Sequence, residues 1–301
     1  MLSPMFKSGF VSIIGRPNSG KSTLLNQLLG EKVSIVSDKP QTTRHNILGI
    51  LTQAEGQIIF KDTPGIHRPE FEMNRRMMQW LQDALQGVDL LLTLVDASTR
   101  FGAGDQFVID LLRKQSIPSF LLLNKTDLIP KERLLPLISD YSQKYPFVEI
   151  VPISALKKDN LDLLLKLIFQ QLPEGPSYFP DDQFTDRHER FLVGEFVREK
   201  VLHHTREELP FSVAVYVNRF QERDDDFVFL SCDLVVEKPS QRKIVIGSQG
   251  QLLKQIGTEA RIEIERLLGK RIYLELFVKV QPDWRNDPRF LDALEIRRST
   301  P

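Results

Sequence analysis

The stretch that most constrains this chain is Gly15-Arg16-Pro17-Asn18-Ser19-Gly20-Lys21-Ser22, which fits the phosphate-binding template G-x-x-x-x-G-K-[S/T]. The apolar run Phe10 to Ile14 precedes it and reads as a buried strand. Ser22 to Leu29 follows, with leucines at helical spacing. Strand, loop and helix in that order are the context the template needs. Glycines let backbone N–H groups converge on phosphate oxygens, and the helix N-terminus adds its positive dipole end. The template places Lys21 at the β- and γ-phosphates and makes the Ser22 hydroxyl a Mg²⁺ ligand.

Composition narrows what surrounds this loop. A length of 301 residues suggests two domains, and 41% hydrophobic content is ample for globular cores. Forty basic residues balance forty acidic ones, which argues against a general polyanion binder and makes any nucleic-acid surface local. The single cysteine, Cys232, excludes an internal disulfide and fits a reducing compartment. The N-terminus shows no signal-peptide pattern, and apolar runs such as Leu90 to Val95 are too short to span a bilayer. The expectation is a soluble cytoplasmic protein.

Through the first 170 residues, short apolar runs alternate with amphipathic stretches. Strands are expected at Gly9 to Ile14, Asn46 to Thr52, Gln57 to Phe60, Leu90 to Asp96, Ser119 to Leu123 and Glu149 to Pro152. Helices are expected at Ser22 to Leu29, Met73 to Gln86, Asp105 to Lys114, Lys131 to Lys144 and Asn160 to Gln171. The alternation predicts an α/β, doubly wound, mostly parallel sheet with nucleotide at the carboxyl ends of its strands. Three motifs fall at such ends. Asp62-Thr63-Pro64-Gly65 can hold Mg²⁺ through a water on Asp62 and meet the γ-phosphate with the Gly65 N–H. Asn124-Lys125-Thr126-Asp127 offers a carboxylate, Asp127, that can accept from both the ring N–H and the exocyclic amine of guanine, a donor pair that adenine lacks. Ser154-Ala155-Leu156 can present a backbone N–H to the guanine carbonyl.

With these residues the chain resembles the translation-factor-like GTPases. The resemblance implies GTP/GDP and Mg²⁺ as ligands and a nucleotide site formed by Gly15, Arg16, Pro17, Asn18, Ser19, Gly20, Lys21, Ser22 and Thr23 together with the three motifs. It also implies a first switch loop around Gln41-Thr42-Thr43-Arg44, in which one threonine, with Thr43 preferred over Thr42, ligates Mg²⁺ only in the triphosphate state. Asn18, Lys21, Thr43 and Gly65 are then the catalytic candidates. Ile66 stands where Ras-type members carry a water-orienting glutamine, and an aliphatic side chain cannot orient water by hydrogen bonding. GTPases of this kind with asparagine at the position of Asn18 can use it to hold a potassium ion beside the phosphates, and slow intrinsic hydrolysis is the expectation.

Leu172 to Asp182 concentrates prolines and acidic residues and reads as a stiffened linker. The domain boundaries expected are 1–173, a linker at 174–184, and 185–301. In the last segment, Asp186 to His203 reads as a helix, and Phe211 to Arg219, Phe227 to Glu237 and Arg271 to Val280 read as strands. Gly247-Ser248-Gln249-Gly250 precedes the long amphipathic stretch Gln251 to Leu268. This pattern resembles an α+β KH domain of type II, in which a G-x-x-G joins two helices and clamps single-stranded RNA. β-Propensity favours a strand at Lys243 to Ile246; the resemblance implies a short helix capped near Ser240. It assigns RNA contacts to Arg242, Lys243, Ile246, Gly247, Ser248, Gln249, Gly250, Lys254 and Ile256, with Ser248 and Gln249 where a cation is common.

A GTPase domain followed by a KH domain is similar to the bacterial GTPase family that serves maturation of the small (30S) ribosomal subunit. That likeness implies a monomer that binds the 3′ end of small-subunit ribosomal RNA and the subunit itself, with peripheral membrane association on the inner face of the cell membrane. Two other readings are a GTPase regulating a protein or membrane partner, with the second domain as an interaction module, and an RNA-modification accessory sharing the fold.

Overall fold

The computed structural model describes residues 6–39, 41–65, 71–207, 209–224 and 226–296. Its chain forms two compact units. One comprises Met1–Ser34, Thr43–Arg68 and Met77–Asp186; the other comprises Ile35–Thr42, Pro69–Arg76 and Arg187–Pro301.

The first unit is built on β1 (Lys7–Gly15), α1 (Lys21–Leu29), β2 (Ile47–Gln53), β3 (Gly56–Asp62), α2 (Glu72–Ala84, whose first turn counts with the second unit), β4 (Leu90–Asp96), α3 (Ala103–Leu112), β5 (Ser119–Asn124), α4 (Leu134–Lys144), β6 (Glu149–Pro152) and α5 (Leu161–Gln171). The strand order is β2-β3-β1-β4-β5-β6, with β2 antiparallel to β3 and the other neighbours parallel. All six expected strands are present, each within three residues of its expected ends. β4 and β5 are near-continuous apolar runs, because crossover helices cover both faces of a parallel sheet and leave no solvent-facing positions. Lys131 to Arg133, expected as the first turn of a helix, form a separate 3₁₀ turn ahead of α4.

The stretch 174–184 does not hang free. Ser8 and Gly175 N–H groups bond the carbonyls of Pro173 and Phe6, Gln57 Oε1 accepts from the Tyr178 and Phe179 amides, and Ile50 N–H bonds the Phe184 carbonyl. These bonds satisfy exposed groups along the sheet, so the stretch counts with the first unit and the chain leaves that unit after Asp186.

The second unit contains α6 (Glu189–His204), α7 (Leu209–Ser212), β7 (Ala214–Asp224), β8 (Phe227–Val236), α8 (Pro239–Ile246), α9 (Gln251–Leu268), β9 (Arg271–Val280) and α10 (Pro288–Ala293). The sheet order is β7-β8-β9, antiparallel then parallel. Val213, Leu230, Leu234, Val245, Ile256, Ala260 and Ile264 form the centre of its core. α6 buries Leu192, Phe196, Val197 and Val201, and with them Glu195, Arg198, Glu199 and Lys200. Buried charge is costly unless paired. Here Glu195 pairs with Arg198, Lys200 with Glu199 and Glu263, while Glu199 accepts from the Val36 amide and Arg198 donates to the Thr42 carbonyl, both in segment 35–42 of the same unit.

The run Lys243 to Ile246 is helical, as the KH likeness implied. Helix α8 begins at Pro239, one residue before the expected cap, where Gln241 Oε1 accepts from the Glu237 and Lys238 amides.

Candidate functional site

The loop between β1 and α1 closes over Lys21, whose Nζ donates to the Gly15 and Arg16 carbonyls at 3.2 and 2.9 Å. The side chain is 6% exposed, and burial pushes its pKa down to about 8, opposed by the nearby Asp62 carboxylate. Gly20 has φ 100°, and a Cβ there would run into Asn124 Nδ2, so only glycine fits. Asn18 is exposed at the loop crest with φ 62°. Pro17 lies against Gly65, where an added Cβ would sit 3.0 Å from Pro17 Cα. The Arg16 guanidinium is held by Asp105 at 2.7 Å, which turns it to the start of α3. Thr23 is the third residue of α1.

Four oxygen-bearing side chains meet beside Lys21. Ser22 Oγ lies 2.9 Å from Thr43 Oγ1 and 3.0 Å from Asp62 Oδ2, and Ser34 Oγ donates to Asp62 Oδ2 at 2.9 Å. Asp62 is fully buried, which raises its pKa against the opposing pull of Lys21 and of the three hydroxyls. Its Oδ1 has no hydrogen-bond partner among the described residues. An all-oxygen donor set with one buried carboxylate oxygen to spare suits Mg²⁺. Ser22, Thr43 and Asp62 are thus brought together as the sequence predicted; Ser34 was not foreseen. Thr63 Oγ1 donates to the Ile13 carbonyl at 2.8 Å, so this hydroxyl secures β3 to β1. Pro64 is buried, and Ile66 and His67 lie outside the described residues.

At the far end of the cleft, Asn124 is 2% exposed and joins two loops: Nδ2 donates to the Ser19 carbonyl at 2.8 Å, and Oδ1 accepts from the Ala155 amide at 2.9 Å. Lys125, at φ 63°, reaches Asp96 at 2.7 Å. Burial pushes the Asp96 carboxyl up, but the bonds from Lys125 and Ser98 outweigh it and leave the pKa lowered. Asp127 Oδ1 accepts from Ser154 Oγ at 2.6 Å, and Lys157 N–H bonds the same hydroxyl, which ties the carboxylate to the Ser154 loop. Leu156 is 66% exposed beside it. Asp96 had a visible signal, a carboxylate ending a strand; Ser34 had none.

In the second unit, Gly247 to Gly250 joins α8 and α9. Gly247 has φ 72° and ψ −178°, and a Cβ there would lie 2.7 Å from Leu252 Cβ. Arg242, Lys243, Ser248, Gln249 and Lys254 are exposed, Gly250 and Ile246 partly so. Ile256, expected in the base groove, is fully buried in the core beneath α9 and cannot touch RNA. Beside the Gly247 to Gly250 turn, Leu253, Gly257 and Thr258 of α9 and Ile272, Tyr273, Leu274 and Leu276 of β9 line an open groove of about 460 Å³.

Family comparison agrees with both halves. The 50S ribosome-binding GTPase family matches residues 10–125, and the KH domain family matches residues 208–285. Among solved structures, the chain is similar to Era in complex with MgGDPNP and nucleotides 1506–1542 of 16S ribosomal RNA, at 42% identity, over 97% of this chain and 99% of that one, with a TM-score of 0.94. It is equally similar to a single-residue variant of Aquifex aeolicus Era bound to GDP and aluminium fluoride, at 42% identity over 97% and 100% of the two chains, with a TM-score of 0.93. The expected fold class, a doubly wound P-loop GTPase domain followed by a KH domain, is the one these matches share.

Proposed function

The chain belongs to the Era family of GTPases, and we propose that it is a GTP-driven switch that binds the 3′ end of small-subunit ribosomal RNA during maturation of the 30S subunit. The observation that carries this reading is the coexistence, in one chain, of a guanine-type nucleotide cleft and a G-x-x-G helix pair opening onto a groove, in a protein 42% identical to an Era that holds both GTP analogue and 16S ribosomal RNA.

In that reading the catalytic work is positioning and charge stabilisation. Lys21 leaves the loop carbonyls for the β- and γ-phosphates, whose negative charge favours its protonated form. Ser22, Thr43 and Asp62 would hold Mg²⁺, which when bound would supply positive charge beside the phosphate oxygens. The Gly65 N–H orients the γ-phosphate, and Thr43 is released with the first switch loop once that phosphate leaves. Asp127 reads guanine, and the bond from Ala155 to Asn124 fixes the loop whose backbone meets the base carbonyl.

Asn18, exposed at the loop crest, is the residue proposed to ligate K⁺ and so compensate for an aliphatic Ile66. Arg242, Lys243 and Lys254 meet RNA phosphates around Gly247, Ser248, Gln249 and Gly250, and Ile246 borders the bases. A boundary between the two domains after Asp186, rather than a linker at 174–184, together with monomeric state and cytoplasmic residence, completes the proposal. Peripheral membrane association rests on the family likeness; among the described residues no helix is long and apolar enough to cross a membrane.

The test places Asp at both Ser248 and Gln249, setting two negative charges against the phosphates at exposed positions. RNA affinity, measured by filter binding with a 3′-terminal small-subunit ribosomal RNA fragment in GDP and in a non-hydrolysable GTP analogue, should fall at least about tenfold with no change in melting temperature. Parental affinity in the double variant removes the RNA assignment; equal affinity in the two nucleotides removes the switch.

A further inference from the structure

The groove between α9 and β9 does not end in neutral surface. Lys254 and Arg261 lie seven residues apart on one face of α9, and Arg261 lines both the groove and a second open recess of about 550 Å³. That recess is formed by Arg261, Glu265, Arg266, Gly269, Lys270 and Arg271. It sits where α9 turns into β9, at the opposite end of the groove from Gly250. Along the helix axis, Lys254, Arg261 and Arg266 cover roughly 18 Å.

Two of the four cations there stand within ion-pair distance of a carboxylate and two do not. The recess holds four cations and one carboxylate, and Glu265 already accepts from the Ile272 amide at 3.2 Å while standing 3.8 Å from Arg261. Lys270 reaches Glu222, whose side chain is 57% exposed, at 3.0 Å. Among the described residues, Arg266 and Arg271 form no ion pair, and both are exposed. Arg266 and Arg271 thus add positive charge beside two cations that already have a carboxylate near them, and a polyanion entering the recess gains their attraction and releases counterions.

We infer that Arg261, Arg266, Lys270 and Arg271 form a second phosphate seat, which takes the RNA backbone where it leaves the groove. The seat rests on the reading of the groove as an RNA site. It makes affinity depend on strand length: the G-x-x-G clamps about four nucleotides, the groove as a whole takes up to about six, and the seat acts only on a longer strand. Arginine suits this seat, because its planar fork grips phosphate oxygens in pairs.

The experiment uses the full chain, fluorescence anisotropy, and two single-stranded RNAs from the 3′ end of the small-subunit ribosomal RNA. One is a six-mer that fills the groove; the other is a twelve-mer with the six-mer at its centre. The variant is Arg266→Gln/Arg271→Gln, at exposed positions outside the core, with its fold checked by circular dichroism melting. Two lost phosphate contacts should make the salt slope of twelve-mer binding shallower by about 1.4, equivalent to roughly 25-fold weaker binding at 0.1 M salt relative to 1 M. Six-mer binding should be unchanged. A twelve-mer slope equal to that of the parent overturns the seat, as does equal loss for both lengths, which would place the two arginines inside the groove site. An effect confined to anionic phosphatidylglycerol vesicles overturns it as well. Failure of the groove reading has a different signature: six-mer binding that is insensitive to Asp at Ser248 and Gln249, or a parent that binds neither RNA.

Discussion

Asn124→Ala tests whether the asparagine of the Asn124 to Asp127 motif braces the nucleotide cleft or reads the base. Its side chain is bound to two protein groups, the Ser19 carbonyl at 2.8 Å and the Ala155 amide at 2.9 Å, and is 2% exposed. Truncation leaves both groups without that partner. Each buried unsatisfied group costs about 1–3 kcal/mol, and water entering the vacated volume recovers part of the sum, so a net loss of ~2–4 kcal/mol follows. For a unit of this size each kcal/mol lowers Tm by roughly 2–4 °C, which places the expected drop at roughly 5–15 °C. The phosphate loop and the Ala155 loop must then be reordered by the ligand, and ~2–4 kcal/mol corresponds to GDP binding weaker by roughly 30- to 700-fold. Differential scanning fluorimetry and titration with labelled GDP and XDP measure both quantities. If Asn124 is a brace, GDP and XDP lose affinity by the same factor. A loss restricted to GDP, or a Tm within about 2 °C of the parent together with parental affinity, refutes the bracing argument.

Asp127→Asn should reverse base preference, because Ser154, itself fixed by the Lys157 amide, holds the side chain in place while its two acceptors become one acceptor and one donor; competition assays should show GDP losing at least about 100-fold and XDP gaining, and unchanged selectivity would contradict the role. Potassium should accelerate hydrolysis over sodium at equal ionic strength, with Asn18→Ala abolishing the difference; identical parental rates in the two salts would exclude it. Cys232 is fully buried, and its thiol pKa is pushed up to about 12 by burial and then by the Asp233 charge. The unfolded chain therefore loses this proton above about pH 9 while the folded chain keeps it, so the stability this residue contributes falls as pH rises. Denaturant titrations should show the advantage of the parent over Cys232→Ala shrinking by ~1–2 kcal/mol between about pH 8 and pH 10; a pH-independent difference would mean that the thiol is not shielded.

How much of the site was legible depended on whether the chemistry sat inside a motif or between distant strand ends. Lys21, Ser22, Asp62 and Asp127 act from loops whose spacing is dictated by the phosphate and base they address, so the spacing itself carries the information. Ser34 reaches Asp62 across 28 positions of chain, and no local pattern marks a serine that will meet a buried carboxylate. Ile256 shows a different limit. Ile256, Ala260 and Ile264 repeat every four residues and are fully buried, while Leu253, Gly257 and Arg261 repeat with the same period and line the groove. The two stripes differ by about 60° around the helix, and both contain apolar residues, so periodicity alone cannot say which one meets the sheet.

Helix α8 shows punctuation outweighing propensity. Ile244, Val245 and Ile246 are β-branched and favour a strand, by a margin whose full scale is about 1 kcal/mol per residue. Against them, Pro239 in the first turn is preset for a helix, and Gln241 satisfies two amides at its start. Gly247 then leaves the helix with a φ of 72°, a turn that a β-branched residue could not make. Val245 is fully buried in the core and Ile246 packs partly against it while Ile244 stays 54% exposed, so a strand, which also buries alternate residues, would gain little burial over the helix. The tight Gly247 turn makes two helices meet at the G-x-x-G, and the backbone N–H groups this junction leaves at the start of α9 depend on the turn rather than on the side chains at Ser248 and Gln249.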